Sequence, residues 1–272
     1  MNKIFVHQTV IGAYGFVWRE RKDFLLLSFP LVAALSIFSS LLISSAMPLQ
    51  GEGSSQAPIS VSAIGIVFGL ISMICVVMFS VAWHRRYLLP QESLTVISAL
   101  KWSRRQTRFL LMGVLLGMIV TGIVSLGFLA QMAVGGGIGA GSGTPVAIFV
   151  IATLIAGFIV YARLSLILPA ISVDDTMTFQ HCWNLTKGNG WRLLTIVVLG
   201  SLPVWLAGML LSLLANSILS GWGIEESLTA GLILNLIDQT LAFIAVAVGV
   251  SVLSISYQRL SGAKTATTGA DS

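Results

Sequence analysis

Trp102-Ser103-Arg104-Arg105-Gln106-Thr107-Arg108-Phe109-Leu110-Leu111 is the stretch that decides how this chain is read. A tryptophan and three arginines followed at once by Leu-rich sequence mark a place where a chain passes from water into hydrocarbon. The same order of residues occurs twice more. Trp18-Arg19-Glu20-Arg21-Lys22-Asp23-Phe24-Leu25-Leu26 opens one apolar run, and the segment from Trp183 to Trp191-Arg192-Leu193-Leu194 opens another. Trp18, Trp102 and Trp183 are 84 and 81 residues apart. Two runs also leave alike, at Tyr87-Leu88-Leu89-Pro90 and Leu166-Ile167-Leu168-Pro169. The period predicts three copies of one unit: an amphipathic helix lying on the membrane, then a helical hairpin through it.

Composition agrees. The 272 residues are 56% hydrophobic and 9% charged, with a mean hydropathy of +0.94, whereas soluble domains carry about 25% charged residues. Crossing a bilayer takes roughly 20 apolar residues. Six runs meet that length, at residues 24–47, 59–83, 109–134, 146–168, 193–218 and 229–255. The expected fold is therefore all-α: a polytopic membrane protein with six transmembrane helices in three hairpins. It forms a single membrane domain over residues 1–260, with a disordered tail at 261–272.

Charge sets the expected orientation. All fifteen Lys and Arg residues fall at one side of the six runs. The connections near 48–58, 135–144 and 219–228 contain none. The side rich in Lys and Arg is the cytoplasmic one, which places both termini inside. Basic residues beside an anionic leaflet attract its headgroups. The candidate headgroup contacts are Arg85, Arg86, Arg104, Arg105, Arg108, Arg163 and Arg192. Nucleic acid is not an expected partner, because no soluble basic domain exists to present the charge. Arg163 lies close enough to the basic side either to snorkel or to cap a helix there.

Inside the runs, polar residues are few. Asn235, Asp238 and Gln239 form an i, i+3, i+4 cluster in the sixth run, with Asp238 about 13 Å from its far end at 1.5 Å per residue. An ionisable group at that depth is a candidate site by default, and Asn216 is the expected partner. The cluster has two readings: glue between helices, or the polar path of a small transporter or channel component. Spacings of small residues at Gly65/Gly69, Gly113/Gly117, Ala152/Ala156 and Ala245/Gly249 predict close helix packing.

Catalytic signatures are missing. HExxH, CxxC, GxSxG and the phosphate-binding Walker loop do not occur, so neither an enzyme, a metal site nor a cofactor is expected. Gly135 to Gly143 superficially contains a GxGxxA pattern but joins two runs and reads as a flexible linker. His84, beside Arg85 and Arg86, reads as interfacial. Asp175 or Thr176 is the expected cap of a helix carrying Phe179, Cys182, Trp183 and Thr186 and ending at Gly188. Cys75 and Cys182 imply no disulfide framework. The N-terminal run is too long for a signal peptide and is expected to remain as a span.

Three segments carry a family resemblance: Trp83-His84-Arg85, the run Ala162-Arg163-Leu164-Ser165-Leu166-Ile167-Leu168-Pro169, and the stretch from Trp183 to Arg192. They resemble a bacterial inner-membrane family grouped with the membrane domain of glycerophosphoryl diester phosphodiesterases and with YciC-like proteins. The resemblance implies a six-helix protein of the bacterial inner membrane with no established activity. The soluble phosphodiesterase barrel of some relatives is absent, so hydrolysis is not implied. The resulting expectation is a non-enzymatic integral protein that touches membrane lipids or supports a membrane complex in envelope homeostasis.

Overall fold

The computed structural model describes residues 3–46, 59–92, 95–99, 101–133, 144–221 and 228–262, and among them every regular element is helical. The glycine-rich run at 135–143, all or most of the connections near 48–58 and 219–228, and the tail beyond 262 lie outside the described residues. In chain order the helices are α1 (Val6–Arg19), α2 (Arg21–Ala46), α3 (Ile59–Leu88), α4 (Val96–Ala99), α5 (Arg104–Ala133), α6 (Thr144–Leu164), α7 (Ile167–Ser172), α8 (Phe179–Leu185), α9 (Gly190–Gly221) and α10 (Leu228–Ser261). Six segments are long and apolar enough to cross a membrane: Arg21–Leu42, Ile64–Leu88, Arg104–Ala130, Ile148–Ser172, Gly190–Leu219 and Thr229–Ser261.

At the basic end, five long helices run past the edge of their apolar sequence, because backbone hydrogen bonding does not stop where hydropathy does and Arg, Lys and Glu are good helix formers. The fourth run behaves differently. Pro169 has no N–H to donate to Ser165, so α6 stops at Leu164, and the Ser165 carbonyl accepts from Leu168 N at 3.0 Å instead. The chain then turns into the short, largely buried α7. Asp174 ends this turn in the left-handed region at φ 61°, a conformation that Asp tolerates better than most residues.

Helix α10 is the axis of the bundle. It packs against α1, α2, α3, α7 and α9, while α5 and α6 pair with each other and reach the rest through α3, α7 and α9. The centre of packing is aromatic. Trp83 is fully buried, stacks on Phe79 at 5.7 Å and meets Phe16 and Phe24 edge-on at 5.3 and 5.9 Å. Phe79 in turn meets Phe243 of α10 edge-on at 5.2 Å. Offset and edge-on ring pairs of this kind add to the gain from burial alone.

Burial is uneven along the helices. In α3 no residue between 64 and 76 is buried, whereas seven of the eight from Val77 to His84 are. The bundle is tightly packed at its basic end and more open toward the other. The glycines of the predicted spacings do not supply its contacts: a Cβ added at Gly65, Gly69, Gly113, Gly117 or Gly249 would meet nothing within 4 Å, whereas Ala245 packs against the core. The intimate approaches lie elsewhere. A Cβ on Gly127 would fall 2.3 Å from Thr153 Cγ2, and one on Gly200 3.1 Å from Val252 Cγ2.

Replacing Trp83 with Ala removes rings contacting α1, α2 and α10 together, and large-to-small core changes of this kind cost about 3–5 kcal/mol. Unfolding in mild detergent, followed by denaturant titration, is expected to show a loss of that size. A loss below about 1 kcal/mol would contradict the assignment of Trp83 as the packing centre.

Candidate functional site: a cationic end and a groove beside Asp238

Four consecutive residues near the end of α3, Trp83 to Arg86, tie it to its neighbours. Trp83 Nε1 donates to Ala247 O at 3.1 Å and lies 3.0 Å from Ser251 Oγ. His84 Nδ1 lies 2.7 Å from Ser254 Oγ, whose own proton goes to Val250 O at 2.9 Å. Ser254 therefore accepts from Nδ1–H, and Nε2 is the unprotonated nitrogen. That nitrogen is buried without a partner among the described residues, and the ring lies beside Phe109. His84 is thus an interior residue rather than an interfacial one, because α10 presents a serine to it on the same turn.

Arg85 and Arg86 meet carboxylates. Arg85, only 12% exposed in its side chain, donates to Ser172 O at 3.0 Å and pairs with Glu92 and, at 3.7 Å, with Asp174. Arg86 holds Asp23 at 2.6 Å and Glu20 at 2.8 Å, fastening the start of α2 to the end of α3. Arg105 forms a two-pronged pair with Asp174. That hydrogen bond, with the further charges of Arg85 and Arg108, holds the Asp174 carboxyl below its ordinary value near 3.8.

Arg163 and Arg192 serve the chain's own backbone. Arg163 donates to Trp183 O at 2.7 Å and to Thr186 Oγ1 at 3.2 Å, with its guanidinium 3.5 Å from the Trp183 ring centre. It caps α8 and covers the tryptophan by cation–π attraction. The other end of α8 is capped by Thr178, which accepts from His181 N at 3.2 Å. Neither Asp175 nor Thr176 is the cap; Asp175 instead accepts from Tyr257 Oη at 2.6 Å. Gly188, at φ 78°, follows α8. Within α8, Cys182 is buried, and burial pushes its thiol up to about 11. Arg192 donates to Ile4 O at 3.1 Å, which fastens the segment before α1 to the start of α9. Tyr14 Oη to Gly200 O at 2.7 Å and Arg259 to Thr9 at 3.1 Å complete the docking of α1 on α9 and α10.

Arg104 and Arg108 are different. Both are exposed, one turn apart on α5, with exposed Lys101 and Trp102 just before the helix. Their platform is rigid. Ser103 Oγ accepts from Arg105 N at 3.3 Å, and Gln106 Oε1 accepts from Ser103 N at 3.0 Å. This is a capping box, and the Ser-x-x-Gln spacing was available in the sequence as its signal. Gln106 also donates to Lys101 O at 3.3 Å, and Trp102 Nε1 to Thr107 at 2.9 Å.

The polar cluster of α10 is divided between two neighbours. Asn235 donates to Ser40 on α2 at 3.2 Å, whereas Asp238 faces α9 and accepts from Ser212 at 2.9 Å. The partner of Asp238 is thus Ser212, one helical turn nearer the basic end than Asn216. Gln239 is half-buried. Asp238 lies in a groove of about 560 Å³ between α9 and α10, otherwise lined mainly by apolar side chains such as Leu202, Trp205, Met209 and Leu241. Among the described residues no three His, Cys, Asp or Glu side chains gather as a metal site would require. No protein-family model, curated protein sequence or solved structure matches the chain.

The Arg105–Asp174 pair gives a pH signature. A carboxyl with a depressed folded-state pKa stabilises the fold above its ordinary value, and that contribution is lost as pH falls through the depressed one. The difference in melting temperature between the native chain and Arg105→Gln is expected to be full at about pH 6 and to shrink as the medium is acidified below 3.8. A difference that does not change with pH would exclude the pair as its source.

Proposed function

We propose that this chain is a non-catalytic integral protein of a bacterial inner membrane, with its basic end and both termini in the cytoplasm. We infer that it binds anionic lipid headgroups at the start of α5 and supports a membrane complex in envelope homeostasis. Its three units read as hairpins, each preceded by an interfacial helix. The resemblance to the glycerophosphodiesterase membrane domain and YciC-like proteins supports the same architecture.

One observation carries the headgroup reading: the uneven neutralisation of the basic end. Arg85, Arg86 and Arg105 already have carboxylate partners, and Arg163 and Arg192 are committed to backbone carbonyls. Lys101, Arg104 and Arg108 are exposed together at a helix N-terminus. Cations are unfavourable there, because the helix dipole presents its positive end. A phosphate group would relieve both the dipole and the mutual repulsion. Trp102 beside them has the amphipathic ring that prefers the headgroup depth. On this reading the seven arginines divide by role: five hold the fold, while Arg104 and Arg108 meet lipid.

A second reading, a small transporter or channel component, draws on the exposed carboxylate of Asp238 within α10. The direction of Asn235, toward α2 rather than α9, weighs against it, since the polar residues then do not line one path.

Each basic residue close to an anionic surface contributes about 1 kcal/mol. Losing two therefore costs about 2 kcal/mol, or about 30-fold in occupancy. Native mass spectrometry from nanodiscs of mixed phosphatidylglycerol and phosphatidylethanolamine is expected to show retained phosphatidylglycerol, lost in the double variant Arg104→Gln/Arg108→Gln. Equal retention in both proteins would contradict the assignment.

A further inference from the structure

Asp238 stands ten residues into α10 from Leu228, about 15 Å along the helix axis at 1.5 Å per residue. It is exposed there, and Ser212 is its one hydrogen-bond partner among the described residues. An acidic side chain at such depth is costly unless it pairs with another group. The groove in which it lies continues toward the basic end between α9 and α10. Trp205 and Met209, 65% and 53% exposed, form its rim. Gly208 and Ala245 keep its floor low, and the position of a Cβ on Gly208 would lie 3.6 Å from Leu241 Cδ1. Small residues at the floor are what allow a helix to approach closely within a bilayer.

The chemistry of the groove selects its occupant. An acyl chain would fill the apolar length but offers nothing to a carboxylate. A phospholipid headgroup carries donors but belongs at the interface rather than at this depth. A second copy of this chain lacks the required charge: all fifteen Lys and Arg residues lie in or near the basic-end segments, and even Arg163 is the penultimate residue of α6. A transmembrane helix from another protein, by contrast, passes through every depth and can present a cation opposite Asp238. We propose that the α9–α10 groove docks a partner protein's membrane-spanning helix that carries a basic residue near mid-bilayer, with Asp238 as its counter-charge. The proposal rests on the complex-supporting half of the proposed function and is independent of the headgroup site on α5.

The test uses the full chain in phosphatidylcholine nanodiscs, where no anionic lipid is present and failure of the headgroup reading cannot affect the result. The probes are two synthetic helices of about 22 Leu and Ala residues, one with a single central Lys and one without, each labelled for energy transfer to the protein. The lysine helix is expected to bind about tenfold more tightly. Asp238→Asn is expected to abolish that preference. Ala242→Trp, which obstructs the groove and leaves the carboxylate in place, is expected to weaken binding, so a folding defect in one variant does not decide the outcome. Equal binding of the two probes, an unchanged preference in Asp238→Asn, or binding unaffected by Ala242→Trp would overturn the proposal. So would a phospholipid that occupies the groove and excludes both probes, or self-association that depends on Asp238.

Discussion

The structure depends on the junction near the end of α3, where Trp83 and His84 meet α10, Arg85 meets the end of α7, and Arg86 meets the carboxylates at the start of α2. A bilayer supplies no water to polar groups, so donors, acceptors and charges that enter it must be answered by the protein itself. Four consecutive polar or aromatic side chains at the edge of the hydrocarbon are therefore a demanding arrangement. They are satisfied only if the serines of α10, the carboxylates before and within α2, and the end of α7 arrive together. Removing one partner would leave another buried and unsatisfied, which costs more than the net value of the bond. This mutual dependence explains why burial is concentrated at the basic end.

Much of this could be read from the sequence, and the reasons for the remainder are physical. Six spans follow from run length, and the segregation of Lys and Arg is visible without coordinates. Which cations are neutralised is not visible, because Arg86 meets Glu20 across 66 residues and Arg105 meets Asp174 across 69. Those distances are set by helix packing, on which local pattern is silent. His84 reads as interfacial because its neighbours in sequence are arginines, whereas its surroundings in space are Ser254 and Phe109. Asn216 was the reasonable partner for Asp238 by depth, but the register of α9 against α10 brings Ser212 there instead. The glycine spacings mark no contact for a statistical reason: with 27 glycines in the chain, such pairs arise often by chance.

Function follows the same division. One end of the molecule is a polar layer in which Arg85, Arg86 and Arg105 are paired with carboxylates, while Lys101, Arg104 and Arg108 stand exposed beside a capping box. The other half is less tightly packed and bears an exposed carboxylate beside an apolar groove. On the proposed reading, the exposed cations at the start of α5 meet headgroups and the groove beside Asp238 faces the hydrocarbon.

The central claim is that all fifteen basic residues face one compartment and that the chain crosses the membrane six times between them. Topology reporters test it most directly, fused singly after residues 50, 140 and 222, after Leu89 and Lys187, and after the C-terminus. The account predicts that the first three report the extracytoplasmic side and the last three the cytoplasm. Any one of the first three reporting the same side as the C-terminus would contradict it.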